Sequence, residues 1–218
     1  MSLVTVAVPD FEAVLHTLKP VTRVSGFHGS DRARLLAGGA IELLATDGVH
    51  GLTHRRLDKA LGIPPGSTSN VFRRRIDLLR AALDALVEQE MVVVYDALGD
   101  REPGPWSVDT AAEVFADVVD AWLLPANRTL LVARYTLILE SSRSDELAPL
   151  LTAARSRFTA LAELLCAAAG VGSEEASIDP AIQLVAWADG VLLAHVTAGV
   201  RAPTRADVAQ GVRRLLGL

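Results

Sequence analysis

Apolar residues recur at intervals of three and four along most of this chain, the spacing of amphipathic helices. Strand signals are sparse: Val4-Thr5-Val6 and Met91-Val92-Val93-Val94 are the best, and the second continues a helical pattern. Residues 30–47 place Leu36, Ala40, Leu43 and Leu44 on one face of a first helix. A long helix from about Arg75 to Leu98 is predicted by Leu79, Leu83, Leu86 and Val93. REPGPW (residues 101–106) breaks the pattern. Further helices are expected over 109–124, 125–142, 145–169, 180–200 and 204–216. The predicted fold class is all-α, with about nine helices. Residues 1–29 are an N-terminal extension in which FEAVLHTLK suits a short helix and VSGFHGS a linker, and no role is assigned to it.

The segment from Thr53 to Arg75, THRRLDKALGIPPGSTSNVFRRR, departs from this pattern. Thr53 suits an N-cap, and Leu57, Ala60 and Leu61 give a short helix one apolar face. Gly62 suits the left-handed residue that ends a helix, and Ile63, preceding a proline, is pushed towards extended dihedrals. Pro65 is expected at the first position of a second short helix that reaches Phe72, its apolar anchor. Helix, glycine turn and helix make the helix-turn-helix arrangement. The second helix carries Gly66, Ser67, Thr68, Ser69 and Asn70, small polar residues suited to reaching base edges in a major groove. A polar surface helix is the plain alternative. His54, Arg55 and Arg56 open the first of the two helices, while Arg73, Arg74 and Arg75 follow the second, so both flanks offer phosphate contacts.

Charge agrees with that division. The chain holds 21 Lys+Arg and 26 Asp+Glu, a net of -5. Residues 30–80 contain nine basic and five acidic residues, a net of +4, whereas residues 81–218 contain ten and nineteen, a net of -9. A basic segment in an otherwise acidic protein marks a surface for an anionic partner.

These residues together resemble the DNA-binding domain of TetR-family transcriptional regulators. The resemblance runs from Arg32 through Leu79: ARLLAGGAIELLATDG, LTHRRLDKALGI, PPGSTSNVF and an arginine leading into a long helix. Gly48, Thr53, Leu61-Gly62, Gly66-Ser67 and Phe72 stand where the family pattern has its glycine, threonine, turn, glycine-small pair and phenylalanine. The resemblance implies three divisions: residues 1–29 as an extension, 30–79 as the DNA-binding domain, and 80–218 as a helical ligand-binding and dimerisation domain. It also implies that Arg32, Thr53 and Pro65 join the residues above in contacting double-stranded DNA at an inverted-repeat operator. Three departures stand out. Ser69 and Val71 replace the usual tyrosine and a second aromatic residue, Arg75 replaces the usual lysine and can grip a phosphate with two bonds, and Asp58 replaces a small alanine. A carboxylate at a helix contact needs a partner, and Arg75 or Arg73 is the expected one.

The remaining sequence is less explicit. Phe115, Trp122, Tyr135 and Phe158, with Arg134 nearby, are candidates for the pocket of an unidentified small-molecule effector; core packing is the alternative for each. Arg134 suits an anionic ligand, or a pairing with Glu140 or another carboxylate. Ala186, Gly190, Ala194 and Ala198 recur every fourth residue, a ridge that admits close approach of another helix. With Val208, Val212 and Leu215 of the last helix they suggest a four-helix interface in a homodimer, or else an internal packing stripe. Cys166 sits among alanines and leucines as a core residue, and a lone cysteine excludes an internal disulfide. No hydrolase, zinc-protease or nucleotide-binding motif occurs, and His50 and His54 span a loop–helix junction poorly suited to a metal. No catalytic role and no cofactor is expected. Asp189, Gln183 and His195 interrupt the apolar run 180–200, which is expected to be a buried helix and no membrane span, in a cytoplasmic protein. The sequence favours a regulator, with repressor action implied only by the resemblance. The alternative is a helical ligand-binding or scaffolding protein with a degenerate reading head.

Overall fold

Ser30 accepts a hydrogen bond from the Ala33 N–H and so caps the first helix, α1 (Asp31–Gly51). A computed structural model describes residues 29–99, 101, 106–171, 178–197 and 201–216. The expected short helix and linker of the N-terminal extension lie outside the described residues. Leu36, Ala40 and Leu44 of α1 are fully buried at helical spacing. The helix extends past the expected end at residue 47, but Gly48 interrupts it with φ 69°, a left-handed conformation that glycine takes without a Cβ clash. After it come α2 (His54–Ala60), capped by Thr53, and α3 (Ser67–Val71). α4 (Arg75–Leu98) has the predicted bounds and absorbs Met91–Val94 into its helix.

Beyond α4 lie α5 (Val108–Leu123), α6 (Arg128–Ser141), α7 (Ala148–Ala168), α8 (Pro180–Thr197) and α9 (Arg205–Leu215), with one 3-10 turn at Pro125–Asn127. Every described element is a helix, as the periodicity predicts. α1 packs along both α4 and α6, α5 packs on α4 and α9, and α7 packs on α8. One apolar cluster runs continuously from Leu36 in α1 to Val212 in α9. The α2–α3 end of the chain and the helices beyond it therefore share a core, and α1 joins them by packing on α2, α4 and α6.

α8 is apolar enough, and at 18 residues long enough, to pass a compositional test for a membrane span. It is only half buried, against expectation: Pro180, Ala181, Leu184, Val185 and Leu192 face the other helices, while Ile182, Ala186 and Gly190 are exposed. α9 is fixed to α5 by Val208, Ala209 and Val212, all buried. Arg213 adds ion pairs to Asp109 and Glu113, and Arg205 adds pairs to Glu113 and Asp117. Each exposed pair is worth little alone, so the apolar face holds the helix and the charges fix its register.

Candidate nucleic-acid interface and effector cavity

Asp58 organises the end of the molecule formed by α2 and α3. Its side chain is buried (3% exposed) and accepts three hydrogen bonds: from the Gly66 N–H at 2.7 Å, the Thr68 N–H at 2.8 Å and the Thr68 hydroxyl at 2.6 Å. Burial alone would raise the Asp58 pKa, but the bonds from Thr68 and Gly66, with the charge of His54, outweigh it and hold the carboxyl below its ordinary value. The expected pairing of Asp58 with Arg73 or Arg75 is not made. The nearer backbone donors at the start of α3 satisfy the carboxylate instead.

Those donors are orphaned because α3 begins later than predicted. Gly66 has φ 89° and stands as the N-cap, with no side chain of its own to serve the first turn. Pro65 therefore lies one step outside the helix, in the turn. Ser67 and Thr68 are buried, and Thr68 is spent on Asp58, so these two do not reach outward to bases as expected. Ser69, Asn70 and Val71 are the exposed positions of α3, the Ser69 hydroxyl donating to the Gly66 carbonyl at 2.9 Å. His54 Nε2 lies 2.7 Å from the Phe72 carbonyl and must carry the proton of that bond, which ties the start of α2 to the end of α3.

The arginines divide into two groups. Arg75 donates through Nε to the Leu52 carbonyl at 3.1 Å and through Nη2 to the Val49 carbonyl. It thus caps the carbonyl end of α1 with a cation and joins that end to the start of α4. Arg56 pairs with Asp47 at 2.6 Å, and Arg74 with Asp77 at 2.7 Å. Among the described residues Arg32, Arg55 and Arg73 are exposed and form no hydrogen bond or ion pair. Of the arginines expected at this surface, these three are therefore unengaged among the described residues, whereas Arg56, Arg74 and Arg75 already hold partners.

A second feature lies between α5, α6, α7 and α8. Phe115, Trp122, Leu131, Phe158 and Leu192 line a narrow apolar cavity of about 70 Å³, with Arg134 and Asp189 as its polar groups. Arg134 is stacked 4.4 Å above the Phe158 ring and bonded to Glu90 at 3.1 Å. Its second amino group is 3.6 Å from Asp189. Burial disfavours the guanidinium charge, but Glu90 and Asp189 more than compensate and raise its pKa. Arg134 thus pairs with these two carboxylates and not with Glu140. Tyr135, expected in the pocket, is not among the residues that line this cavity; its hydroxyl donates to the Asp189 backbone carbonyl at 3.1 Å, binding α6 to α8. Sequence reasoning missed Glu90, although a signal existed. It occupies the buried face of α4 between Leu86 and Val94, where a carboxylate is costly without a partner.

The exposed strip of α8 borders an open groove of about 580 Å³ lined by Ala186, Trp187, Gly190, Val191, Ala194 and Pro203, among others. Val208 and Val212 do not belong to that face; they are buried against the chain's own α5, because α9 turns its only apolar side inward. Leu215 is half buried, and Ala198 lies outside the described residues.

The tetracyclin repressor-like C-terminal domain family model matches residues 106–218. No curated protein matches the sequence. Among solved structures, a TetR-family member from Streptomyces coelicolor A3 is 26% identical, with a TM-score of 0.67 over 87% of this chain and 100% of that one. The multidrug binding protein EbrR complexed with ethidium is also 26% identical, with a TM-score of 0.63 over 86% and 99%. A transcriptional regulator from Saccharomonospora viridis in complex with choline shares the fold at 19% identity, with a TM-score of 0.67 over 86% and 96%. A helix-turn-helix at one end, a lined cavity in the helices beyond and a family match over half its length agree: the chain belongs to the TetR family of transcriptional regulators.

Proposed function

We propose that this regulator acts as a repressor: a homodimer binds an inverted-repeat operator through α3, and a small molecule entering the cavity between α5 and α7 releases it. The division of labour is residues 30–79 for DNA and 80–218 for effector and dimerisation. The observation that carries the reading is the outward tip of α3, flanked by Arg55 and Arg73, which have no partner among the described residues. Asn70 suits bidentate bonds to an adenine edge, and Val71, a third exposed, suits contact with a thymine methyl. Arg55 and Arg73 neutralise phosphates on either side, and Arg32 adds a third contact.

A reading face this small specifies a short half-site, so a useful operator needs two copies. The α8 strip supplies the means, with Ala186, Gly190 and Ala194 admitting a second copy's helix at close range. Two-fold symmetry then sets half-site centres about one helical turn (~34 Å) or a multiple apart. The effector is expected to be predominantly apolar, because Phe115, Trp122 and Phe158 dominate the lining and Arg134 is already neutralised. Ethidium in EbrR and choline in the Saccharomonospora viridis protein illustrate the ligands of relatives. The cavity is too narrow for a drug-sized molecule, so entry must part α5 from α7. Selection from a random duplex library tests the central claim. Enrichment of one palindromic sequence is expected, and recovery of no preferred sequence would favour the scaffolding alternative.

A further inference from the structure

Behind Arg134 lies a second cavity, of about 320 Å³, between α4, α6 and α7. Leu83, Leu86, Ile138 and Leu151 give it apolar walls, and Glu90 and Arg134 close its inner end. Arg134 is the partition between this space and the aromatic cavity, since it lines both. Glu90 is 1% exposed, and only one of its oxygens is used: Oε2 accepts from Arg134, whereas Oε1 is buried with no hydrogen-bond partner among the described residues. A buried carboxylate oxygen without a donor is costly. Glu90 Oε1 therefore calls for a donor from outside the chain.

The surroundings define the donor. Glu90 and Asp189 face Arg134 and Arg155, two carboxylates against two guanidiniums, with Arg155 3.1 Å from Asp189. Counted as ionised, the four charges cancel, and burial, only partly offset by Arg134, raises the Glu90 pKa, so the site lacks a hydrogen-bond partner and not a charge. The hydroxyls along the wall reinforce this. Ser141, Ser142 and Thr152 donate their protons to the carbonyls of Ile138, Leu139 and Ala148, which leaves only lone pairs for a visitor. We propose that this second cavity binds an uncharged, largely apolar molecule ending in a hydroxyl, its O–H donating to Glu90 Oε1. The site is separate from the aromatic cavity and does not depend on the effector reading given above.

Calorimetry on the full chain with 1-octanol and its isomer heptyl methyl ether tests this, because the pair differs only in the O–H. The alcohol is expected to bind roughly ten-fold or more tightly than the ether, the factor for a hydrogen bond to a charged group. Octylammonium and octanoate, which upset the charge balance, should bind less well than the alcohol. Glu90→Leu should bring alcohol and ether to equal affinity. Should that variant fail to fold, Ala154→Phe fills the cavity without touching the ion pairs and should abolish alcohol binding, whereas Val118→Trp, which fills the aromatic cavity, should leave it unchanged. Equal binding of alcohol and ether, no alcohol binding at all, tighter binding of either ion, or loss of alcohol binding in Val118→Trp would each overturn the proposal. Operator release by ligands of the aromatic cavity is measured separately, so failure of that mechanism leaves these outcomes intact.

Discussion

Three donors converge on Asp58, so the carboxylate matters through what its loss would strand. Asp58→Ala leaves the Gly66 N–H, the Thr68 N–H and the Thr68 hydroxyl without their acceptor. We expect a loss of about 3 kcal/mol in denaturant unfolding at neutral pH; unchanged stability would mean that α3 is held by other means. Because the folded carboxyl titrates below its ordinary value of 3.8, this stabilisation is complete above that value and fades as pH falls through the lower one. The gap between wild type and Asp58→Ala should therefore narrow only in strong acid. The arginines yield a second test. Arg55→Ala and Arg73→Ala should each weaken binding to all sequences alike and reduce the slope of log affinity against log salt by about 1. Asn70→Ala should instead relax preference at one position of each half-site, at a cost of about 1–3 kcal/mol. If Asn70→Ala lowers affinity uniformly, the tip of α3 does not read bases.

Among the helices, α8 and α9 each carry a glycine, and the two play opposite parts. A Cβ at Gly190 meets nothing within 4 Å in the chain itself, whereas a Cβ at Gly211 stands 2.7 Å from the Trp187 ring. Gly190→Leu should thus leave the monomer's melting near wild type while sedimentation shows the dimer broken by overpacking. An intact dimer in that variant would move the interface off this strip. Gly211→Ala should do the reverse, lowering stability by about 1–3 kcal/mol as Trp187 is displaced. The contrast also explains which parts of the fold were legible. The helices of α4 and α9 announced themselves through periodicity and caps, since those depend on neighbours a few residues apart. The inward turn of Val208 and Val212 did not, because an apolar stripe reads the same whether it meets its own chain or another copy. The start of α3 was misplaced for a related reason: its cap acceptor, Asp58, is eight residues upstream of Gly66, and no local pattern around Pro65 reveals it.

At the scale of the whole molecule, α1 and α4 are the elements that join its two ends. α1 packs on α6 beside the cavity region and ends at the carbonyls held by Arg75, the residue that opens α4. Under the proposed release mechanism, a ligand that parts α5 from α7 would press on α4 and α6 and through them change the angle of α1 and the placement of α2 and α3. In the proposed dimer that change would alter the distance between the two copies of α3, and the proposed phosphate contacts at Arg55 and Arg73 would lose register on both half-sites. Affinity for DNA can fall only as far as the ligand prefers the displaced conformation over the DNA-bound one. Linkage then requires operator DNA to weaken ligand binding by the same factor, with couplings of about 1–3 kcal/mol being typical. Arg75→Ala should reduce this factor, since it detaches α4 from the end of α1 while leaving Phe115, Trp122 and Phe158 untouched. Calorimetric titration of a screened cavity ligand, with and without operator, in wild type and Arg75→Ala, checks both statements. Equal ligand affinity in the presence and absence of operator would remove the release mechanism. Full coupling in Arg75→Ala would leave release intact but place the connection elsewhere, in the packing of α1 on α6.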